Sequence, residues 1–390
     1  MRDRRTFRMH VLANLGADQV QIEELLSYNQ TFFQPSDIVR YPLPDEPFVR
    51  VWENYAREVE QAANLGVLSK YLVQLRFPVR TGMSQNADYL AATRRGANPD
   101  DLEAATGLGL QYPEQCQLVL HPTPAGRIPL LLAQARQDFV LLVQALAKRN
   151  EPVPVPDSMG ASMVAGYNNW HRIRVLRSAF EASNPPPASW DGEFQKIQEQ
   201  KSRYQDRFII LSNGPYSGIP ASDLGLPEEQ WRSLSLAIRR EHECAHYFTR
   251  RVFGSMRNNL IDELIADYWA ISTTLGRFRA DWFLRFFGLE AFPHYRVGGR
   301  LQNYQGDPPL SQGAFVILQR LVKHAAGNLE RFDCRYASEL RQPDAQPAAF
   351  LALSALTVEE IASEDGAHIL AESFLRSVEA IREGLILQDR

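Results

Sequence analysis

The stretch Pro227–Gly254, PEEQWRSLSLAIRREHECAHYFTRRVFG, decides how this chain is read. Its apolar residues recur at helical spacing. Pro227 suits a first helical turn, Glu228 and Glu229 favour the N-terminal end, and Arg250 and Arg251 favour the C-terminal end before a stop at Gly254. On such a helix His242 and His246 stand four residues apart, so both imidazoles leave one face about one turn apart. That separation suits two nitrogens on a single tetrahedral zinc ion. Glu243 is rotated by about 100° from His242. It would reach the open side of the metal, as the general base of a hydrolase does, rather than act as a third ligand.

A catalytic zinc needs a third protein ligand and an open fourth position. A second helix is expected to open at Asn258 or Asn259 and to end at Gly276. Within it, Glu263 and Asp267 lie four residues apart among Leu260, Ile261, Leu264, Ile265, Tyr268 and Trp269. Two carboxylates on a core-facing stripe need partners, because burying them alone is costly. Glu263 is the expected third ligand. Asp267 is expected to accept the second ring N–H of a ligand histidine and so fix its tautomer. Asp262 is a reserve ligand, read first as a solvated helix-start acid.

The pair His242-Glu243-Cys244-Ala245-His246 and Glu263-Leu264-Ile265-Ala266-Asp267 resembles the gluzincin class of zinc metallopeptidases, the thermolysin-like enzymes, over roughly residues 207–276. The resemblance implies one Zn²⁺ per chain on His242, His246 and Glu263. It also implies hydrolysis of a peptide or protein substrate by a zinc-bound water that Glu243 activates. It further implies an edge strand before the motif helix that pairs with an extended substrate. RFIILSNGPYS is placed to be that strand, with Asn213 and Gly214 at its end. The spacing between His246 and Glu263 is shorter than in that class, so VFGSMRNN must turn tightly. Metzincins fit badly, since their pattern needs Gly and His where this chain has Thr249 and Val252. A di-iron reading of Glu243-Cys-Ala-His246 lacks its second Glu-x-x-His.

An oxyanion stabiliser is sought downstream, in PHYRVGGRLQNY, which carries His294, Tyr295, Arg296, Arg300 and Tyr304. Tyr295 and His294 rank first as catalytic candidates, then Tyr304. Cys244 reads as a small packing residue.

Around this motif the 390 residues are an ordinary globular composition with a formal net charge of -4, which excludes a broadly basic nucleic-acid or anionic-membrane surface. Three scattered cysteines make neither a disulfide framework nor a thiolate zinc site. The basic N-terminus lacks an apolar segment of the kind a secretory signal carries. No apolar run reaches membrane length. A soluble cytoplasmic protein is therefore expected.

The expected fold class is α+β and helix-rich. A mixed N-terminal domain, residues 1–185, would hold a β-hairpin at about 117–133 around Thr-Pro-Ala-Gly. A zincin-like catalytic domain, residues 186–390, would follow the proline cluster NPPPASW. SMGASMVAGYNNW reads first as a packed connector and, as the alternative, as a loop over the site. Helices are expected at about 311–325, 347–355 and 357–385, the last broken at Asp365-Gly366. Two alternatives to a peptidase are a zinc hydrolase of a non-peptide amide or ester bond and a catalytically silent, zinc-stabilised interaction protein.

Overall fold

The computed structural model describes all residues except 1–2, 35–39, 184–188, 257–258, 343 and 385–390. The chain opens with α1 (Arg4–Asn14) and α2 (Gln19–Tyr28). It continues through α3 (Val49–Ala62), α4 (Ala87–Arg95), β1 (Gln117–His121), β2 (Ile128–Ala133), α5 (Arg136–Ala147), β3 (Ala161–Asn168), α6 (Trp170–Ser183), α7 (Trp190–Glu199) and β4 (Gln205–Ser212). Then come α8 (Glu228–Phe253), α9 (Asn259–Leu275), α10 (Ala280–Phe287), α11 (Gln312–Arg335), α12 (Ala345–Ser354), α13 (Val358–Ala362) and α14 (Gly366–Glu383). The class is α+β, helix-rich with one small mixed sheet.

Two compact units divide these elements. One joins Met1–Leu43 to Pro215–Arg390; the other is Pro44–Gly214. The division corrects the expected boundary at 185. The proline cluster there lies outside the described residues, and the strand that follows belongs to the sheet. Buried apolar residues of α1 and α2, among them Leu12 and Leu25, and a set of charge pairs tie the N-terminal helices to this unit. Arg8 on α1 holds the fully buried carboxylate of Glu359 on α13 through Nε and Nη2, at 3.2 and 3.1 Å. Asn29 donates to the same carboxylate at 2.9 Å. Arg4 forks onto Glu360 at 2.9 and 2.7 Å. Such long-range pairs leave no trace in local composition.

In the second unit the sheet order is β1-β2-β4-β3. β1 and β2 form the expected hairpin, with Leu118 opposite Leu131. β2 runs parallel to β4, and β3 antiparallel to it. Ile209 is therefore paired on both sides, with Leu130 and with Met163. β4 is an interior strand, which corrects the expectation of a free edge there. Its unbroken apolar run FIIL is what a strand buried on both faces requires. α3 and α5 pack on the sheet through Trp52, Tyr55, Phe139 and Leu142. The edges are β1 and β3, and β3 is the segment read as a connector. Its small residues and Gly166, which sits at φ 84° in a bulge between Ala165 and Tyr167, hid the strand.

In the first unit α8 shows the expected stripe: Trp231, Ser235, Ile238, His242, Ala245, His246, Thr249 and Val252 are buried. Gly254 caps its end at φ 71°. α9 is apolar almost all round and buried accordingly, including Asp262 and Asp267. Phe350 on α12 packs against Phe248 of α8 and Trp269 of α9, with ring centroids 4.6 and 5.5 Å apart. α10 brings Trp282 and Phe286 against Trp231. Among the described residues no helix is long and apolar enough to cross a membrane.

Candidate metal centre

α8 and α9 lie side by side, and their facing polar residues form one cluster inside the first unit. His242 and His246 emerge one turn apart, ring planes nearly perpendicular and Nε2 atoms 3.0 Å from each other. Glu263 reaches across from α9, with Oε2 3.5 Å from His242 Nε2 and Oε1 3.5 Å from His246 Nε2. These three residues are the cluster of possible metal ligands found among the described residues, all ligand atoms within 4.8 Å of one another.

The outer nitrogens are held as well. His242 Nδ1 lies 2.9 Å from Asp267 Oδ1. His246 Nδ1 lies 3.0 Å from Asp262 Oδ2. A carboxylate can only accept there, so each Nδ1 carries a proton, and a neutral imidazole so held has only its Nε2 lone pair to turn toward the other ring. Two lone pairs at 3.0 Å repel unless a proton or a cation lies between them. Two ligands on a tetrahedral zinc stand about 3.3 Å apart, so this spacing is close to what the ion needs.

Charge points the same way. The carboxylates of Glu243, Asp262, Glu263 and Asp267 gather with the guanidinium groups of Arg239 and Arg300 around the histidines. Four negative and two positive charges leave a deficit that a divalent cation balances. Burial, together with the charge of His246, pushes the His242 pKa far down. Burial acts downward on His246 too, but Asp262, Glu263 and Glu243 outweigh it and lift that imidazole to about 10. One strongly held proton therefore belongs to the metal-free cluster. Glu243, half-buried beside it, has its carboxyl raised by burial and takes no side-chain hydrogen bond among the described residues.

The surrounding residues come from outside the two helices. Tyr216 stands in a short turn, Tyr216–Gly218, that follows β4 in sequence. Its hydroxyl donates to Asp267 Oδ1 at 2.6 Å and accepts from Arg300 Nη1 at 2.8 Å. Phe286 packs on the Tyr216 ring, centroids 5.0 Å apart. Arg300 also pairs with Asp267 and caps the ring of Phe287 at 4.8 Å. Tyr304 donates to Glu263 Oε2 at 2.8 Å.

Of the residues expected from sequence, His242, Glu243, His246, Glu263 and Asp267 come together. Asp262 proves to be the buried partner of His246 rather than a solvated acid. Tyr295 is occupied elsewhere: its hydroxyl donates to the Gly299 carbonyl at 2.7 Å and accepts from Gln302 N–H at 3.1 Å. His294 is exposed in a short bridge with Ala291. Neither Tyr295 nor His294 reaches the cluster by a hydrogen bond among the described residues, whereas Tyr304 and Arg300 from the same stretch do, through Glu263 and Asp267. Asn213 and Gly214 close β4 in the second unit, where Asn213 bonds the side chain of Gln134. An interior strand cannot accept a substrate strand, so their assignment to substrate binding falls with it. Tyr216 was not found from sequence, since nothing local to NGPYSG marks it.

A protein family described as a family of unknown function (DUF7005) matches residues 10–365. The chain belongs to this family. The match runs through both units and contains every residue of the cluster, from Tyr216 to Tyr304. No curated protein and no solved structure matches the chain.

Proposed function

We propose that this protein is a zinc-dependent hydrolase with a zincin-like arrangement of α8 and α9, and that its substrate is a peptide or protein. The observation that carries the reading is the pair of Nε2 atoms 3.0 Å apart, each ring fixed from behind by a carboxylate and both faced by Glu263 at 3.5 Å. His242, His246 and Glu263 would hold the ion. When bound, zinc lowers the pKa of a water and polarises a carbonyl oxygen.

The chain's own residues do the rest. Glu243, with a raised carboxyl pKa, would take a proton from the attacking water and return it to the leaving amine. Asp267 and Asp262 hold the two imidazoles in the tautomer that leaves Nε2 free. Tyr216 and Arg300 hold Asp267 in turn. Tyr304, with its hydroxyl kept protonated by burial and by Glu263, would be the donor to a developing oxyanion. A purely structural zinc site has no use for Glu243 beside an open position, which favours an enzyme over a silent binding protein.

Incubation of the zinc-loaded protein with a diverse peptide library, read by mass spectrometry, tests the peptidase reading. Cleavage that disappears in Glu243→Gln supports it. Cleavage of ester or non-peptide amide probes alone would move the assignment to a non-peptide hydrolase.

A further inference from the structure

The second unit contains a cavity of about 370 Å³ that none of the zinc chemistry uses. Its wall is β3, the strand hidden in the sequence. The six consecutive residues Met163–Asn168 all line it, so the cavity runs along the strand's outer edge rather than against one face. Bulged Gly166, at φ 84°, opens the backbone at its centre.

The lining carries two cations and no carboxylate. Arg94 comes from the last turn of α4, and Arg149 follows the C-terminal cap of α5. Both are exposed at the rim, and neither has an ion-pair partner among the described residues. Arg149 is also placed deliberately. It and Asn150 are two successive non-glycine residues in the left-handed region, at φ 55° and 58°, a conformation that costs about 1–2 kcal/mol each. The turn is held because Asn150, fully buried, donates to the Gln74 and Phe77 carbonyls at 3.0 and 2.9 Å.

Inside the cavity lies Tyr89. It is 2 % exposed, packed edge-on against Phe77, and its hydroxyl meets no protein partner among the described residues. Burial holds that hydroxyl protonated while the Arg149 charge acts against it, so the guanidinium and the phenol feel each other. The neighbouring phenol, Tyr167, is by contrast satisfied by Gln74. Glu151 shares a long-range charge interaction with Arg149 but makes no ion pair with it among the described residues, and its carboxylate accepts from the Gly82 and Ser84 N–H groups at 3.0 and 2.7 Å.

We propose that this cavity binds a small organic anion, its carboxylate or phosphate oxygens held by Arg94 and Arg149 and its body by the Tyr89 hydroxyl and the free β3 backbone. Two unpaired guanidinium groups suit anionic oxygens. The volume is that of a small-molecule pocket. The buried phenol supplies the single directed donor that orients such a ligand.

Isothermal titration of the full chain with succinate, inorganic phosphate and pyrophosphate separates the two sources of anionic oxygen. At least one probe is expected to bind, more weakly as salt rises. Arg149→Gln and Arg94→Gln are each expected to weaken that probe roughly tenfold or more. Tyr89→Phe is expected to weaken it by a smaller factor, and Arg95→Gln, outside the cavity, to leave it unchanged. Melting temperatures of the ligand-free variants report whether each still folds. Three results would overturn the proposal: no heat with any probe at about 10 mM, unaltered binding in the folded Arg94→Gln/Arg149→Gln double variant, or binding of an acidic peptide where none of the small anions binds.

Discussion

Glu243 and the second carboxylates are where the chemistry is most exposed to test. Glu243→Gln keeps the shape of the side chain and removes the proposed base. It is expected to retain zinc and to lose turnover by a factor of about 100 or more; unchanged turnover would remove Glu243 from the mechanism. Asp267 acts one layer out, through His242. Asp267→Asn and Tyr216→Phe are expected to weaken zinc by about 10–100-fold, as substitutions behind metal-bound histidines do, measured by competition with a chromogenic chelator. The two should not be additive, because Tyr216 works through the same carboxylate.

His246 gives a pH signature. Its imidazole is raised from the ordinary histidine value to about 10 in the metal-free fold. The group therefore contributes stability to the metal-free protein that is fully present below about pH 6.5 and lost as pH rises through about 10. A metal must displace that proton. Zinc uptake near pH 8 is expected to release about one proton per ion, read from titration heats in buffers of different ionisation enthalpy. Uptake without proton release would contradict the protonation assigned to the cluster.

At the scale of elements, the helix pair was legible because its signals are local. Period, charge bias and a terminal Gly254 all lie within α8, and the spacing of Glu263 and Asp267 lies within α9. The hairpin was legible from its turn chemistry for the same reason. What failed were statements about neighbours. Whether β4 is an edge or an interior strand depends on β3, whose small residues and single bulged glycine mask any alternation. Whether Tyr295 or Tyr304 faces the ligands depends on how the loop after α10 folds back, and Gly288 and Gly299 decide that by approaching more closely than a Cβ would permit. Tyr216 could be found only from the fold, where Phe286 of α10 packs on its ring, and Arg300, though named among the downstream candidates, shows its pairing with Asp267 only there. Gly254 offers a check on the helix itself. Gly254→Ala forces a left-handed alanine and crowds Gln34, and is expected to destabilise the unit by about 1–2 kcal/mol in urea unfolding.

At the scale of the whole chain, the N-terminal residues belong to the unit that holds the histidines. Removing Arg8 leaves Glu359, with no exposed side-chain area, facing Asn29 alone. Arg8→Ala is expected to destabilise that unit by about 3–5 kcal/mol. Deleting α1 should do so at least as strongly and lower zinc retention with it. A deletion with full stability would mean that the ion pairs to α13 are incidental. The sheet unit carries its own polar core: Asp206, buried, accepts from Trp52, Asn169 and Arg172 at 2.8, 2.6 and 2.5 Å.

Zinc content of the full-length protein, purified without chelator and measured by plasma mass spectrometry, bears most directly on the whole account. The cluster predicts about one ion per chain, reduced to near zero in His242→Ala while the secondary structure is kept. Less than about 0.3 ion per chain in the parent protein, with no further loss in His242→Ala, would contradict it.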